Sequence, residues 1–530
     1  MSSLWGRYAV FALCIVAFSC AIWLGWPLWV ALVLWGLVCI GVFDRLQTTH
    51  SILRNFPVIG HTRWIVEFIR PELRQYLFES ETEAAPFSRA QRSLVYQRAK
   101  DMVGEHPFGT LLDVYADDYE FIAHSACPIE EPDWQSFRIL IGNDQCAHPY
   151  SASVFNISAM SFGALSANAI RALNRGAKLG HFYHDTGEGS ISPYHREMGG
   201  DLVWELGSGY FGCRDEAGKF DPERFAAQAM TDQVRMIEIK MSQGAKPGHG
   251  GVLPAAKVTP EIAMTRGVPI GKDCISPSRH TAFSTPLEMM AFVAELRKLS
   301  GGKPVGFKLC IGHPWEFMGI VKAMLESGIT PDFVVVDGGE GGTGAAPAEF
   351  SDHIGMPMRE GLMFVRNTLV GAGLRDRIKI GAAGKITSAF DMASVLALGA
   401  DWVNAARGYM FALGCIQSLS CHTNRCPTGV ATQDLGRQAG LVLPDKAERV
   451  RNFHDNTLMA LADMLAAAGV AHPDNLGPQH LHRRISSTEV RQVSELYTFL
   501  ASGALVEGGC PDPFYNANWA MARADSFDAR

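Results

Sequence analysis

The apolar positions of this chain fall into two patterns. Near the N-terminus they form two long runs, Tyr8–Gly25 and Leu28–Phe43, free of charge and separated by Trp26-Pro27. Together the runs are far too long for one bilayer span, so they predict two short helices folded back as a transmembrane hairpin. From residue 150 the runs become short: Phe155–Met160, Phe182–His184, Leu202–Leu206, Met236–Ile239, Val305–Leu309, Phe333–Val336, Ile378–Ile380 and Trp402–Asn404. Between several of them lie helical patterns at Asn168–Leu179, Leu287–Leu299, Trp315–Glu326 and Ala389–Leu398. That alternation is the grammar of βαβ units, and eight runs predict an α/β fold closed as a (β/α)8 TIM-type barrel. A doubly wound open sheet is the alternative.

These patterns divide the chain into a transmembrane helical hairpin at 1–45, a helical collar and irregular lead-in at 46–150, the barrel at 151–435, and a helical and loop-rich tail at 436–530. Arg7 precedes the hairpin, Arg45 and Arg54 follow it, and its turn holds no basic residue. The positive-inside rule therefore expects both ends, and the catalytic body, on the cytoplasmic side of the cell inner membrane. Trp5, Trp23, Trp26 and Trp29 suit interfacial anchoring. A signal peptide is disfavoured, because apolar sequence resumes at once and no small-residue cleavage site ends the first run. The chain carries 47 basic and 54 acidic side chains, a net charge of −7. With no basic stripe, nothing points to nucleic acid.

Twelve cysteines are scattered without paired spacings, which fits free thiols in a reducing compartment. Three stand apart: Cys415, Cys421 and Cys426, spaced C-x5-C-x4-C and followed by Pro427. Close, irregular thiol spacing before a proline suits an iron–sulfur cluster, and three ligands favour three irons over four. A zinc site would need a fourth ligand, for which His422 is poorly placed. Three unrelated buried thiols remain the bland alternative.

Chemistry collects at the ends of the apolar runs, where a barrel enzyme keeps its site. Asp185-Thr-Gly-Glu188, Lys240, Lys308 and Asp337-Gly-Gly-Glu340 all fall there. Gly339-Glu-Gly-Gly-Thr-Gly344 matches a dinucleotide-binding pattern, but no long helix opens at its glycines. Gly341 and Gly342 instead let backbone approach a flat ring or a carboxylate. Gly384-Lys385 and Arg407-Gly408 end the last two runs. Loops after the seventh and eighth barrel strands commonly hold phosphate, so a phosphate-bearing cofactor such as FMN would fit them. Lys246 follows the fourth run and could stabilise a reduced flavin or a substrate carboxylate. His249, among glycines, is a candidate proton donor.

Five segments resemble the FMN-binding synthase domain of glutamate synthases. They are Ser158-Ala-Met-Ser-Phe-Gly-Ala-Leu-Ser166, Gly187-Glu-Gly, Gln243-Gly-Ala-Lys-Pro-Gly, Gly341-Gly-Thr-Gly-Ala, and the cysteine triplet leading into Pro-Thr-Gly-Val-Ala-Thr-Gln433. The resemblance covers about residues 110–470. It implies a barrel binding FMN and a [3Fe–4S] cluster, and condensation of 2-oxoglutarate with ammonia followed by flavin-dependent reduction to glutamate. By motif, Cys415, Cys421 and Cys426 become the cluster ligands. Met160, Ser161, Lys308, Gly384 and Arg407 become flavin contacts, and Glu188, Lys246 and Arg266 fall at the keto-acid pocket. Three positions depart from the family pattern. His249 stands where a glutamate is usual, Val252 where a glutamine contacts substrate, and Tyr210 where an arginine is usual. The resemblance covers neither a glutaminase half nor an NAD(P)-binding domain. Ammonia is then expected free or from a partner, and electrons from a ferredoxin or a reductase subunit. Two alternatives follow: an oxidoreductase of the same cofactors acting on another small acid, or a membrane-tethered electron-transfer subunit.

Overall fold

A computed structural model describes residues 2–83, 85–102, 104–105 and 107–530, with backbone alone for residues 2–5. The side chain of Trp5 and the start of the irregular region at His106 lie outside the described residues. The chain forms two compact units, Met1–Pro86 and Phe87–Arg530.

In the smaller unit, α1 (Ser2–Trp23) and α2 (Leu28–Leu46) pack on each other, and each is long and apolar enough to cross a bilayer. Shorter helical pieces follow at Ser51–Asn55, His61–Leu73 and Arg74–Phe78.

The larger unit is built on a closed parallel barrel of eight strands: β1 (Phe155–Ile157), β2 (His184–Asp185), β3 (Leu202–Leu206), β4 (Val234–Lys240), β5 (Val305–Leu309), β6 (Phe333–Asp337), β7 (Lys379–Ala383) and β8 (Trp402–Ala405). Each predicted run became a strand. β8 pairs with β1 through Val403 and Phe155, which closes the barrel and excludes the open sheet. The strands are almost wholly buried on both faces, which is why they appear in sequence as continuous apolar runs.

The crossover helices start where local chemistry satisfies their first amides. Ser166 caps α3 (Ala167–Gly180), and Thr285 with Glu288 makes a capping box on α4 (Pro286–Leu299). A second box, Ser388 with Asp391, opens α5 (Ala389–Ala397). After β8 the short α6 (Arg407–Leu413) leads into the cysteine loop, and the long α7 (Leu443–Ala468) packs against α3.

Beyond the barrel the structure adds strands that the sequence pattern did not announce. Glu120–Ile122 pairs with a hairpin of Leu481–Ser486 and Glu489–Gln492. This sheet is fastened by charge: Glu120 pairs with Arg483 at 2.7 Å and with Arg359 at 2.6 Å. Burial alone would raise the Glu120 pKa, but the two guanidinium groups outweigh it and hold the carboxyl below its usual range. A strand secured by buried ion pairs lacks the apolar alternation that makes strands legible.

Candidate active site

The C-terminal ends of the barrel strands surround a cavity with about 1560 Å³ of empty space, counting its open mouth.

One wall carries a charged group from several elements. Glu188 follows β2, Lys240 ends β4, Lys246 lies in the next loop, and Arg266 closes the helix Pro260–Arg266. Lys240 Nζ lies 3.1 Å from Glu188 Oε1, and Ser276 Oγ donates to Glu188 Oε2 at 3.2 Å. Burial pushes the Glu188 pKa up, but Lys240, Arg266 and Ser276 overcome this and hold it at about 2. Lys246 is shifted the other way: burial lowers its pKa, against the attraction of Glu188. Arg266 is only 4% exposed. Its Nη2 donates to Phe162 O at 2.8 Å, its guanidinium lies over the Phe211 ring, and its buried Nε has no partner. Gly251 permits the approach, since a Cβ there would stand 2.1 Å from Glu188 Oε1.

Beneath that wall, the carboxylates of Asp185, Glu205 and Glu238 gather within 4.8 Å of one another. Lys308, from β5, bonds Glu205 and lies 3.3 Å from Glu238. All four residues are buried. Burial and the neighbouring carboxylates push Asp185 up to about 7 and Glu238 well above the carboxylate range. The carboxylates more than offset the burial penalty on Lys308, so its ammonium is retained. Proton affinity is therefore high in this cluster, and Glu205 and Lys308 open it to the cavity.

The rest of the lining comes from the late strands and from the loop between β6 and Met358, where Gly341 runs beside Gly244 and Ala245. Gly341 and Gly342 lie there, with Gly384 and Lys385 after β7 and Arg407 after β8. The loop passes close to the arginine at Gly342, where a Cβ would stand 2.4 Å from the Arg407 guanidinium. Lys385 has φ 52°, a left-handed backbone that costs a non-glycine residue about 1–3 kcal/mol and collects at functional sites. Neither Lys385 nor Arg407 makes an ion pair among the described residues. Met160 and Ser161 also line the cavity, with Ser161 and Arg266 both close against Gly189.

The cysteine loop borders the same wall, with Cys421 and His422 on the cavity. The three thiols lie close enough to perturb one another electrostatically, yet they do not gather within 4.8 Å as ligands of a single ion would. Burial raises Cys415 to about 11 and also raises Cys421. At Cys426 burial acts upward too, but the Thr428 hydroxyl and the amides of Thr428, Val430 and Ala431 prevail and lower it. Lys257 is buried nearby, donating to Ala164 O and Ala431 O at 3.0 Å each, and burial lowers its pKa to about 8.

The cavity thus brings together Glu188, Lys246, Arg266, Met160, Ser161, Lys308, Gly341, Gly342, Gly384, Lys385, Arg407 and Cys421. Cys415 and Cys426 lie behind its surface, as does Gly408, where a Cβ would crowd Ile386 O and the Phe453 ring. His249 is exposed, stacks edge-on against Phe350 and is not part of the lining. Val252 is on the lining. Tyr210 is buried, and its hydroxyl bonds His280 and accepts from the amides of Thr281 and Ala282. It braces a loop and offers no charge to a ligand. Sequence reasoning missed Glu205, Glu238, Asn404 and Lys257. An acid inside an apolar run, as in Met236-Ile-Glu-Ile, was an available signal for the first two. Lys257 had none.

Residues 129–471 match the family model for the conserved region in glutamate synthase. The glutamate synthase large subunit-like protein YerD of Bacillus subtilis is 38% identical over 493 residues, covering 86% of this chain and 93% of its own. The archaeal glutamate synthase [NADPH] of Methanocaldococcus jannaschii is 35% identical over 321 residues, and the match covers 60% of each chain. The large chain of glutamate synthase [NADPH] from B. subtilis is 33% identical over 288 residues, only 18% of its length.

Proposed function

The chain belongs to the glutamate synthase family, and on that premise we propose that it is a flavin- and iron–sulfur-dependent oxidoreductase that reductively aminates a 2-oxo acid, 2-oxoglutarate first. The observation that carries this reading is one cavity with an acid-binding wall at Arg266 and Lys246 and an unpaired cationic wall at Lys385 and Arg407.

The residues fit both cofactors. Two cations in no salt bridge among the described residues, beside glycine backbone, suit the phosphate of FMN. Three thiols close enough to perturb one another, with amides aimed at Cys426, suit a [3Fe–4S] cluster. When bound, the flavin would supply hydride chemistry and the cluster would relay single electrons. The remaining work falls to side chains. Arg266, on the cavity lining, pairs with a substrate carboxylate. Lys246 neutralises charge on the 2-oxo oxygen. Glu188, ionised above pH ~2, accepts a hydrogen bond from ammonium or the developing amine and does not donate a proton. Electrons come from a ferredoxin or a reductase subunit, and ammonia is free or comes from a partner.

Anaerobic stopped-flow reoxidation of the reduced protein against a panel of 2-oxo acids, with and without ammonium, tests the reaction. Ammonium-dependent reoxidation with amino-acid product is the expected result. Reoxidation by no 2-oxo acid would overturn it. Val252 favours one variant of the reading. An apolar side chain where a glutamine would contact substrate points to an acid other than 2-oxoglutarate.

The same reading makes residues 8–43 a hairpin in the inner membrane with the body in the cytoplasm. The length and apolarity of α1 and α2 support it, as do the flanking arginines. A cytoplasmic reporter fused after Arg54 should be active; alkaline phosphatase activity there would reverse the topology.

A further inference from the structure

We infer that the helix His61–Leu73 and its continuation to Phe78 lie in the headgroup interface of the bilayer, apolar face down, as a third membrane-contacting element. This rests on the membrane reading of the hairpin and adds a surface to it. No residue of His61–Leu73 is buried, although it is rich in large apolar side chains. Trp64, Ile65, Phe68, Ile69 and Tyr76 are all exposed, Phe68 to 82%. Arg63, Glu67, Arg70 and Arg74 recur at i, i+4, i+7 and i+11, which puts them on one stripe and the apolar residues on the other side. Glu72 interrupts the apolar side near its end. Basic residues on the polar stripe and aromatics beside the apolar face are the composition of interfacial helices.

The occupant follows from where the helix starts. Asp44, in the last turn of α2, is fully buried. It accepts from Val58 N at 2.9 Å and bonds His61 Nε2 at 2.8 Å. The first residue of the amphipathic helix is therefore tied to the end of the second span, at the depth where acyl chains give way to headgroups. An apolar face at that depth, broken only at Glu72, meets lipid before it meets a protein partner.

The test uses the full chain in phosphatidylcholine–phosphatidylglycerol vesicles, with the photocrosslinker p-benzoylphenylalanine at Phe68, at Arg70, or at Leu13 within α1. Lipid adducts at Phe68 should exceed those at Arg70 severalfold and approach those at Leu13. Lipid adducts at Leu13 with none above the Arg70 level at Phe68 would overturn the inference and leave the hairpin standing. So would Phe68 adducts that run to a second copy or another protein. No lipid adduct at Leu13 would remove the membrane reading, and the inference with it.

Discussion

Replacing Arg266 with glutamine should weaken the substrate's grip without stopping the chemistry. The side chain is committed at one end, donating to Phe162 O at 2.8 Å, and free at Nε. Glutamine keeps a donor but loses the charge. A hydrogen bond to a charged group contributes about 1.5–3 kcal/mol, so kcat/KM should fall about 10- to 150-fold. The loss should appear in KM, because carboxylate binding is uniform between ground and transition states. Phe162 O also loses its donor, so the melting temperature must be followed in parallel, and Arg266→Lys separates the effects by keeping the charge without the fork. The assay is steady-state turnover with an artificial reductant over a range of 2-oxo acid and saturating ammonium. If KM stays within about threefold of the parent while kcat collapses, Arg266 does not hold the carboxylate.

Val252→Gln should shift selectivity toward 2-oxoglutarate, read as the ratio of kcat/KM between it and shorter 2-oxo acids; an unchanged ratio removes Val252 from the pocket's selectivity. Cys421→Ser should abolish a three-iron EPR signal in the oxidised protein while flavin absorbance persists; stoichiometric zinc without iron in the parent would refute the cluster. Asp185→Asn should flatten the dependence of stability on pH. The folded pKa of Asp185 is raised to about 7, so its contribution is complete below the unfolded value near 4 and is lost as pH rises through 7. The variant's melting temperature, relative to the parent, should therefore rise between pH 5 and pH 8, and a parallel pair of curves would contradict the cluster.

The barrel was legible because its strands are buried on both faces, so each appears as an unbroken apolar run that no helix of that length would need. The cysteine triplet stands out in sequence because its spacing is local. What stayed hidden depends on tertiary approach. Lys257 lies far in sequence from Cys421 and Cys426, and its companions are two backbone carbonyls that leave no trace in composition. The tail hairpin is held by Glu120 across more than 350 residues of chain. His249 misled because a histidine among glycines looks exposed to ligand, whereas here the loop turns it outward onto Phe350.

Lys308 sharpens how the site's charge must work. The family resemblance implies it as a flavin contact. In the fold its ammonium is already engaged by Glu205 and Glu238, with Asp185 beside them. Three ionised carboxylates against one ammonium would leave two buried negative charges, which a low-dielectric interior does not tolerate. The cluster relieves this by keeping a proton, which is why Asp185 and Glu238 are shifted upward together. Lys308 can therefore offer a ligand an N–H but little net charge. The long-range attraction for an anionic cofactor falls instead to Lys385 and Arg407, which form no salt bridge among the described residues. It follows that losing Lys385 or Arg407 should cost anion affinity. Losing Lys308 should first cost folding stability, because its removal strands the carboxylates around it.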